Sequence, residues 1–478
     1  MKLSDLAREL KGAHLNGGDV EIKALCTDSR VAEAGDLFFC FRGTHSDSHD
    51  YALEAVRRGA AAIVAERELD IDCPALVVSD GREAMARIAA AFYRHPERKL
   101  KIVGITGTNG KTTTSFMLRN ILSEAGVKAG LIGTLGVEYG THKIAPSLTT
   151  PDPVYLFSLL ADMAQAGVEV VVMEVSAHAL YLKKECPIEY ELAIFTNLTR
   201  DHLDFFEDMT AYGNAKRSLF QKERCRYAIL NADDPFSQTL KEVPHITYGI
   251  DTPADTFAII QSESLKGSHI ILNLDDELME TKLAMMGSYN VLNALAAANA
   301  GRLLGADARA IERGLSRTTS VSGRLEWVAS HAGAEIFVDF AHTPDGLQKS
   351  LGALKDHCKG KLVVLFGCGG NRDRGKRAAM GETAAREADF AVLTSDNPRY
   401  EDPCGILSEI EEGFRSISKQ YVIIEDREKA TEYAINQLEK GDVLLVAGKG
   451  GETYQEIMGI KYGYDDKDVI RSILGKLQ

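Results

Sequence analysis

Lys101–Met117 reads KIVGITGTNGKTTTSFM, and this stretch decides the fold. An apolar run, Ile102, Val103 and Ile105, stops in a glycine-bearing loop, Gly107-Thr108-Asn109-Gly110-Lys111-Thr112. Phe116, Leu118, Ile121 and Leu122 then recur at helical spacing. Strand, glycine loop and helix in that order aim several backbone N–H groups at a phosphate. Glycine permits the close approach, the helix N-terminus adds positive dipole, Lys111 reaches the outer phosphates and Thr112 can hold Mg²⁺. The spacing is not the common one, since Ile105 rather than glycine stands five residues before Gly110. The alternative is a chance glycine turn ahead of a helix. The flanking strand and helix favour a nucleoside triphosphate site.

Around this stretch the chain has 478 residues, room for about three domains. Its 45% hydrophobic and 26% charged residues are those of an ordinary globular protein. A formal net charge of −14 argues against a nucleic-acid partner, which needs clustered Lys and Arg. No apolar run reaches the length of a membrane span, and MKLSDLAREL lacks a signal peptide's apolar core, so a cytoplasmic protein without membrane insertion is expected. The eight cysteines show no metal-ligand spacing and read as reduced thiols.

Downstream of the loop, residues 99–322 alternate strand and helix, the pattern of a parallel sheet covered on both faces. Val168–Val175 (VEVVVMEV) is a buried strand ending in Glu174, where a carboxylate can reach the Mg²⁺ of a phosphate loop in the same sheet. Leu192–Phe195 runs into Thr196–Asp204, which places His202 at a second strand exit, as a metal ligand or as a hydrogen-bonded structural residue. Lys216, in the helix Met209–Phe220, reads as a surface lysine. Asn290 and Asn293 share one face of an alanine-rich helix opened by Gly287, and their amides suit an adenine edge or an N-cap.

Upstream, residues 1–98 read as a small α/β unit, with Pro96 and Glu97–Lys101 as a linker; the clusters Thr27–Arg30 and Thr44–His49 read as turns. Val321–Arg324 looks like a hinge into residues 323–478. There four strands end in polar or glycine-rich loops: Asp339–Asp345, Gly367–Arg377, Thr394–Arg399 and Gly448–Glu452. Four such loops at one sheet edge make a ligand crevice, and their mixed charges suit a small zwitterionic or anionic ligand.

TGTNGKTTT, MEVSAHAL, FTNLTRDHLDFF, YGNAKRSLF, Gly287–Asn293, VDFAHTPD and SDNPR follow one another in an order that resembles the Mur ligase family, and the likeness extends to TDSR and GDLFFCFRGTHSDSHDY near the start. The resemblance implies three α/β domains: an N-terminal UDP-binding unit at 1–98, a central parallel-sheet P-loop ATPase at 99–322, and a C-terminal Rossmann-like unit at 323–478. It implies an ATP- and Mg²⁺-dependent amide ligase, a monomer, acting on UDP-N-acetylmuramoyl-L-alanyl-D-glutamate and a diamino acid. Ser29, Thr44, His45, Ser46, Thr149, Thr150, Ser176 and Lys184 would then hold the UDP precursor. Gly107, Thr108, Asn109, Gly110, Lys111, Thr112, Thr113, Asn293, Arg324, Asp339 and His342 would hold ATP. Thr112, Glu174, His202 and a carbamylated Lys216 would hold Mg²⁺, with Lys111, Glu174, His202 and Lys216 as the catalytic set.

Within the family a DNPR sequence resembles the type that adds meso-diaminopimelate, and Asp396-Asn397-Pro398-Arg399 is that sequence. Arg372, Asp396, Asn397, Arg399, Gly448 and Glu452 would hold this amino acid, Arg399 taking its distal carboxylate and Glu452 its distal ammonium. L-lysine would leave Arg399 unpaired, a discrimination of about 10⁴. Three places depart from the family pattern: Leu182-Lys183-Lys184 where Gln-x-Arg is usual, Gly451 in place of histidine, and Phe340 in place of tyrosine. They leave room for a lysine-adding or altered ligase of the same family. From another class, a nucleotide-binding regulatory protein without ligation is the alternative.

Overall fold

The computed structural model describes residues 1–43, 46–146 and 148–477. Three separate sheets and a small hairpin follow one another along the chain. The phosphate-loop strand, Lys101–Thr106, lies inside the central sheet, flanked in parallel by Val170–Glu174 and Tyr190–Phe195. Outward from these, Ala129–Gly133 continues the parallel core on one side, and Cys225–Asn231 and His245–Gly249 continue it on the other. Both faces are covered. Val103, Ile105, Val172 and Ile194 enter one core, while Ile102, Val171, Met173 and Phe195 enter another. A strand buried on both sides has no polar alternation to show, which is why VEVVVMEV reads as an unbroken apolar run.

The central sheet is not wholly parallel. Thr256–Ser264 joins it in parallel, and antiparallel strands then extend both edges, Gly267–Leu274 and Glu277–Leu283 at one and Gly136–Tyr139 with His142–Ile144 at the other. Gly267–Leu274 buries one face only and so alternates along its length. The phosphate-loop helix Lys111–Glu124 buries Met117, Leu118, Ile121 and Leu122, whereas Phe116 is half-buried, with the Arg119 guanidinium 5.3 Å from its ring.

The N-terminal sheet is built from His14–Asn16, Ala75–Val77, Ala62–Ala65, Asp36–Phe39 and Ala24–Cys26. Helix Gly81–Phe92, capped by Asp80, joins it to the central unit. Ala84, Met85 and Ile88 face the N-terminal core, and Ala86, Ala89 and Ala90 the central one. Lys183 adds two contacts across the same junction, donating to Asp80 and to Glu83 at 2.9 Å each. The stretch read as a linker is instead a short 3₁₀-helix, Pro96–Lys99, whose Pro96 and Glu97 are buried. Pro96 at its first position suits a helix start, and the helix packs on Pro153–Gln165.

The C-terminal sheet runs Glu326–His331, Ala334–Asp339, Val443–Ala447, Leu362–Phe366, Phe390–Leu393 and Tyr421–Ile423, parallel except for its first strand. At the end of Val443–Ala447, where the Gly448–Glu452 loop begins, the buried Arg427 donates to the Ala447 carbonyl at 2.9 Å. The same guanidinium makes a bidentate pair with Asp466, both contacts 2.8 Å. Burial alone would lower the Arg427 pKa; the Asp466 carboxylate more than offsets it.

Breaking a buried pair leaves one charge uncompensated. Asp466→Asn should therefore destabilise the C-terminal unit by about 3–5 kcal/mol. Urea unfolding followed by Trp327, the chain's one tryptophan, measures this. An unchanged midpoint would show that the pair does not anchor the loop.

Candidate functional site

The phosphate loop is held from behind by the exit of the strand Tyr190–Phe195. Thr108 N–H donates to the Asn197 carbonyl and Asn109 N–H to Asn197 Oδ1, each at 2.9 Å. Thr196 Oγ1 and Asn197 Nδ2 both donate to the Asn109 carbonyl, at 2.6 and 3.1 Å. Gly107 and Gly110 have φ of 150° and 89°; a Cβ on the first would overlap Thr196 and on the second Asn293. Only glycine fits at either position.

Three cationic side chains converge there. Lys111 Nζ folds back onto the loop, donating to the carbonyls of Gly107 at 2.8 Å and Thr108 at 2.9 Å. Lys216, the surface lysine of the sequence reading, is 1% exposed; its Nζ donates to the Gly107 carbonyl at 2.9 Å and sits 4.5 Å from the Tyr212 ring centre. Arg324 lies over the Phe340 ring at 4.4 Å and donates to Thr112 Oγ1 at 3.0 Å. Burial lowers the pKa of all three. For Lys216 the fall is large; Lys111 adds to it, the Asp201 charge opposes it, and no carboxylate lies within ion-pairing distance of its Nζ among the described residues. Burial disfavours the charged form of such a lysine.

The anionic side is thinner. Glu174 is fully buried at the end of its strand. Its Oε1 accepts from Thr134 N–H at 2.9 Å, and its Oε2 from Thr134 Oγ1 and Thr112 Oγ1, both at 3.0 Å. Thr150 Oγ1 donates to the Glu174 carbonyl and accepts from Ser176 N–H, which ties Thr150 and Ser176 to the same strand end. His202 stands nearby with left-handed φ of 57°, its ring edge-on to His178 at 4.8 Å. Burial pushes the His202 pKa down to about 3, so its imidazole is neutral. No group of three or more His, Cys, Asp or Glu side chains is placed to hold an ion among the described residues. Thr112 and Glu174 nevertheless offer adjoining hard oxygens that suit Mg²⁺ once phosphate oxygens join them, and His202 lines the same cavity with its Nε2 3.4 Å from Asp201.

Two cavities meet at this loop. One, of about 300 Å³, is lined by Asn109, Gly110, Thr113, Asn293, Asp339 and Tyr289 among others, and suits a nucleotide. Asn290 also lines it, but neither asparagine caps the helix: Asn290 Nδ2 donates to the Met286 carbonyl at 2.8 Å, and Asn293 Oδ1 accepts from Thr114 at 3.3 Å. Asp339 is engaged inside the protein, accepting from Leu325 N–H, Ala341 N–H and Ser350. The second cavity, of about 500 Å³, gathers Lys111, Glu174 and His202 with Thr149, Thr150, Ser176 and Lys184 on one wall, and Arg372, Asp396, Asn397, Arg399, Gly448 and Glu452 on the other. His342 opens onto this cavity, not the nucleotide one. Ser29 and Ser46 line neither; Ser29 Oγ donates to Glu54 at 3.1 Å. Thr44 and His45 lie outside the described residues.

Three residues not singled out by the sequence matter here. Asp201, 5% exposed, faces His342 at 3.5 Å and Lys376 at 3.8 Å, both from the C-terminal unit. Burial works to raise its pKa, but His342, which hydrogen-bonds to it, and Lys376 hold it well below the carboxylate range. Lys449, fully buried, donates to Asn397 Oδ1 at 3.0 Å and to Glu452 at 3.3 Å. The only sequence signal was position: each lies inside a motif already quoted. The departures also find their places. Lys184 pairs with Asp152 at 2.7 Å, and Gly451 has Leu135 and Ser322 within 3.1–3.2 Å of where a Cβ would lie.

Family models match in three consecutive stretches: "Mur ligase family, catalytic domain" at 21–93, "Mur ligase middle domain" at 105–301 and "Mur ligase, glutamate ligase domain" at 323–450. The chain is similar to UDP-N-acetylmuramoyl-L-alanyl-D-glutamate--2,6-diaminopimelate ligases of Geobacillus thermodenitrificans (43% identity) and Geobacillus kaustophilus (44%), covering 99% of both chains in each case. A solved structure of a ligase with that name superposes with a TM-score of 0.66 at 31% identity, over 95% of each chain.

If Lys111 is the cation that meets the outer phosphates, Lys111→Ala should weaken nucleoside triphosphate binding by about 10²-fold or more. Calorimetric titration measures this, with circular dichroism confirming the fold. Affinity within about threefold of wild type would remove the phosphate-loop reading.

Proposed function

Because the chain belongs to the Mur ligase family, we propose that it is an ATP-dependent ligase joining meso-diaminopimelate to UDP-N-acetylmuramoyl-L-alanyl-D-glutamate, a cytoplasmic step of peptidoglycan precursor synthesis. The observation that carries this is the second cavity. It sets a phosphate loop with Lys111, Glu174 and His202 against a wall holding both a guanidinium, Arg399, and a carboxylate, Glu452. One wall suits phosphoryl transfer and the other a zwitterion. The reading is of a monomer.

A carboxylate does not accept an amine while its leaving group is oxide. The γ-phosphoryl group of ATP therefore passes to the precursor's D-glutamate side-chain carboxylate, giving an acyl phosphate and ADP. Lys111 and Arg324 face the oxygens that gather charge in that transfer. The amine of the incoming amino acid then attacks the acyl carbon; phosphate leaves with the former carboxylate oxygen, and the amine gives up a proton. Mg²⁺, when bound, neutralises phosphate charge, with Thr112, Glu174 and His202 as the residues that would hold it. Lys216 would join them as a carbamate: its neutral amine attacks CO₂, a C–N bond forms and one proton is released. The burial that lowers the Lys216 pKa supports this step. The pairs bridging Asp201 to His342 and Lys376, and Arg200 to Asp373 at 3.5 Å, hold the two walls together, which orients the substrates and excludes water.

Two measurements follow. Lys216→Ala should lose most activity, acetate or formate should restore part of it, and Lys216→Arg should not be rescued, since it keeps the wrong charge. Full activity in Lys216→Ala would return this lysine to a packing role. For the acceptor, ADP release should require both precursor and amino acid, and kcat/KM should favour meso-diaminopimelate over L-lysine by at least about 10²-fold. Arg399→Ala should cut diaminopimelate use by about 2–5 kcal/mol and leave lysine use unchanged or improved. Equal use of the two amino acids by wild type would contradict the proposed substrate, and ADP release indifferent to any amino acid would favour a regulatory nucleotide-binding protein.

A further inference from the structure

The hairpin Tyr454–Ile457 and Ile460–Gly463 stands apart from the C-terminal sheet, and an isolated two-stranded hairpin is at best marginally stable in water. The loop that carries Arg399 docks it. Arg399 has a left-handed φ of 52°; its N–H donates to the Glu456 carbonyl at 3.0 Å, and its carbonyl accepts from Met458 N–H at 2.7 Å. Glu456 N–H in turn donates to Asn397 Oδ1 at 2.9 Å. The hairpin therefore fixes both ends of the Asn397–Arg399 turn through one residue.

The side chain of Glu456 completes the contact. Its Oε2 lies 3.2 Å from Arg399 Nε, while Arg399 NH1 donates to the Gly370 carbonyl at 2.8 Å. Lys461, opposite Glu456 in the hairpin, turns its ammonium over the Tyr454 ring at 4.1 Å instead, so Arg399 is the ion-pair partner of Glu456 among the described residues. Arg399 lines the larger cavity and Glu456 does not. Glu456 thus lies beside the Nε side of the guanidinium and the Gly370 carbonyl takes one NH1 hydrogen, while NH2 makes no hydrogen bond among the described residues and can receive an anion.

We propose that Glu456 is a built-in counter-ion for Arg399 and tempers the preference for an amino acid ending in a carboxylate over one that lacks it. The inference rests on the acceptor-site reading above. A guanidinium left without any anion when L-lysine fills the pocket would exclude lysine by the full cost of an unpaired charge, about 10⁴. Glu456 removes part of that cost, because Arg399 stays compensated. It also shares the guanidinium with the distal carboxylate of diaminopimelate, which weakens that pairing. Both effects act through Arg399 and lower the ratio of diaminopimelate to lysine use. Glutamine in its place keeps the size and an acceptor for Arg399 Nε, and removes only the charge.

The test is kcat/KM for meso-diaminopimelate and L-lysine in wild type, Glu456→Gln, Arg399→Ala and the double variant, with melting temperatures to confirm folding. Glu456→Gln should raise the diaminopimelate-to-lysine ratio by about tenfold or more, through a lower KM for diaminopimelate and a higher one for lysine, with kcat for diaminopimelate unchanged. In the Arg399→Ala background the same change should move the ratio by no more than about twofold. A residue that merely positioned Arg399 would lower diaminopimelate use when altered. A ratio that stays level or falls in Glu456→Gln, while Arg399→Ala still collapses the wild-type preference, overturns the role of Glu456 and leaves the acceptor site standing. Arg399→Ala that leaves the preference intact overturns the acceptor site and this inference together. Should Glu456→Gln fail to fold, Glu456→Ala must give the same rise in the ratio, and its absence there has the same meaning.

Discussion

The structure depends on an imbalance of buried charge at one loop. Lys216 is buried and Lys111 and Arg324 are half-buried around Gly107–Thr112, and the carboxylate that bonds to Thr112 of that loop, Glu174, is itself fully buried. Carbonyl oxygens of Gly107 and Thr108 carry the lysines for want of anything better. Carbonyl groups stabilise an ammonium far less than an anion does, and burial depresses each of these pKa values accordingly. A polyphosphate supplies the missing negative charge.

A second constraint is that this loop belongs to two cavities with different tasks. Arg324 reaches Thr112 from the start of the C-terminal unit, and Asn109 Nδ2 donates to Asp345 of that unit at 3.2 Å. The segment Arg200–Asp204 meets Arg372–Lys376 through opposite charges at Arg200–Asp373, Asp204–Arg372 and Asp201–Lys376. These contacts join the phosphate side to the amino-acid side directly. A ligase of this kind needs the join, because its second step uses an intermediate that water would destroy.

Much of this was legible from residue order alone. The strand–loop–helix of Lys101–Glu124, the buried run ending at Glu174 and the four loops of the C-terminal sheet could be read because each is local: apolar run, glycine, polar exit. The α/β class followed from them, and the family resemblance from the ordered set of motifs along the chain. What stayed hidden is set by partners distant in sequence. Lys216 looks like any helical lysine until Gly107 is found beneath it, and Glu456 until Arg399 is found beside it. The antiparallel edges of the central sheet were missed because one-faced strands alternate weakly beside the long buried ones. The supposed linker at Pro96 was missed because charge suggests exposure, while Glu97 is in fact buried against His95 at 2.9 Å.

The central claim is that ligation passes through an acyl phosphate made at the Lys111 loop, and isotope transfer tests it most directly. The precursor is prepared with ¹⁸O in the D-glutamate side-chain carboxylate and turned over with ATP and meso-diaminopimelate. The phosphate released is then analysed by mass. An acyl phosphate requires that each phosphate carry one oxygen from that carboxylate, in step with product formed. Phosphate released without ¹⁸O, while the amide still forms, would contradict the account.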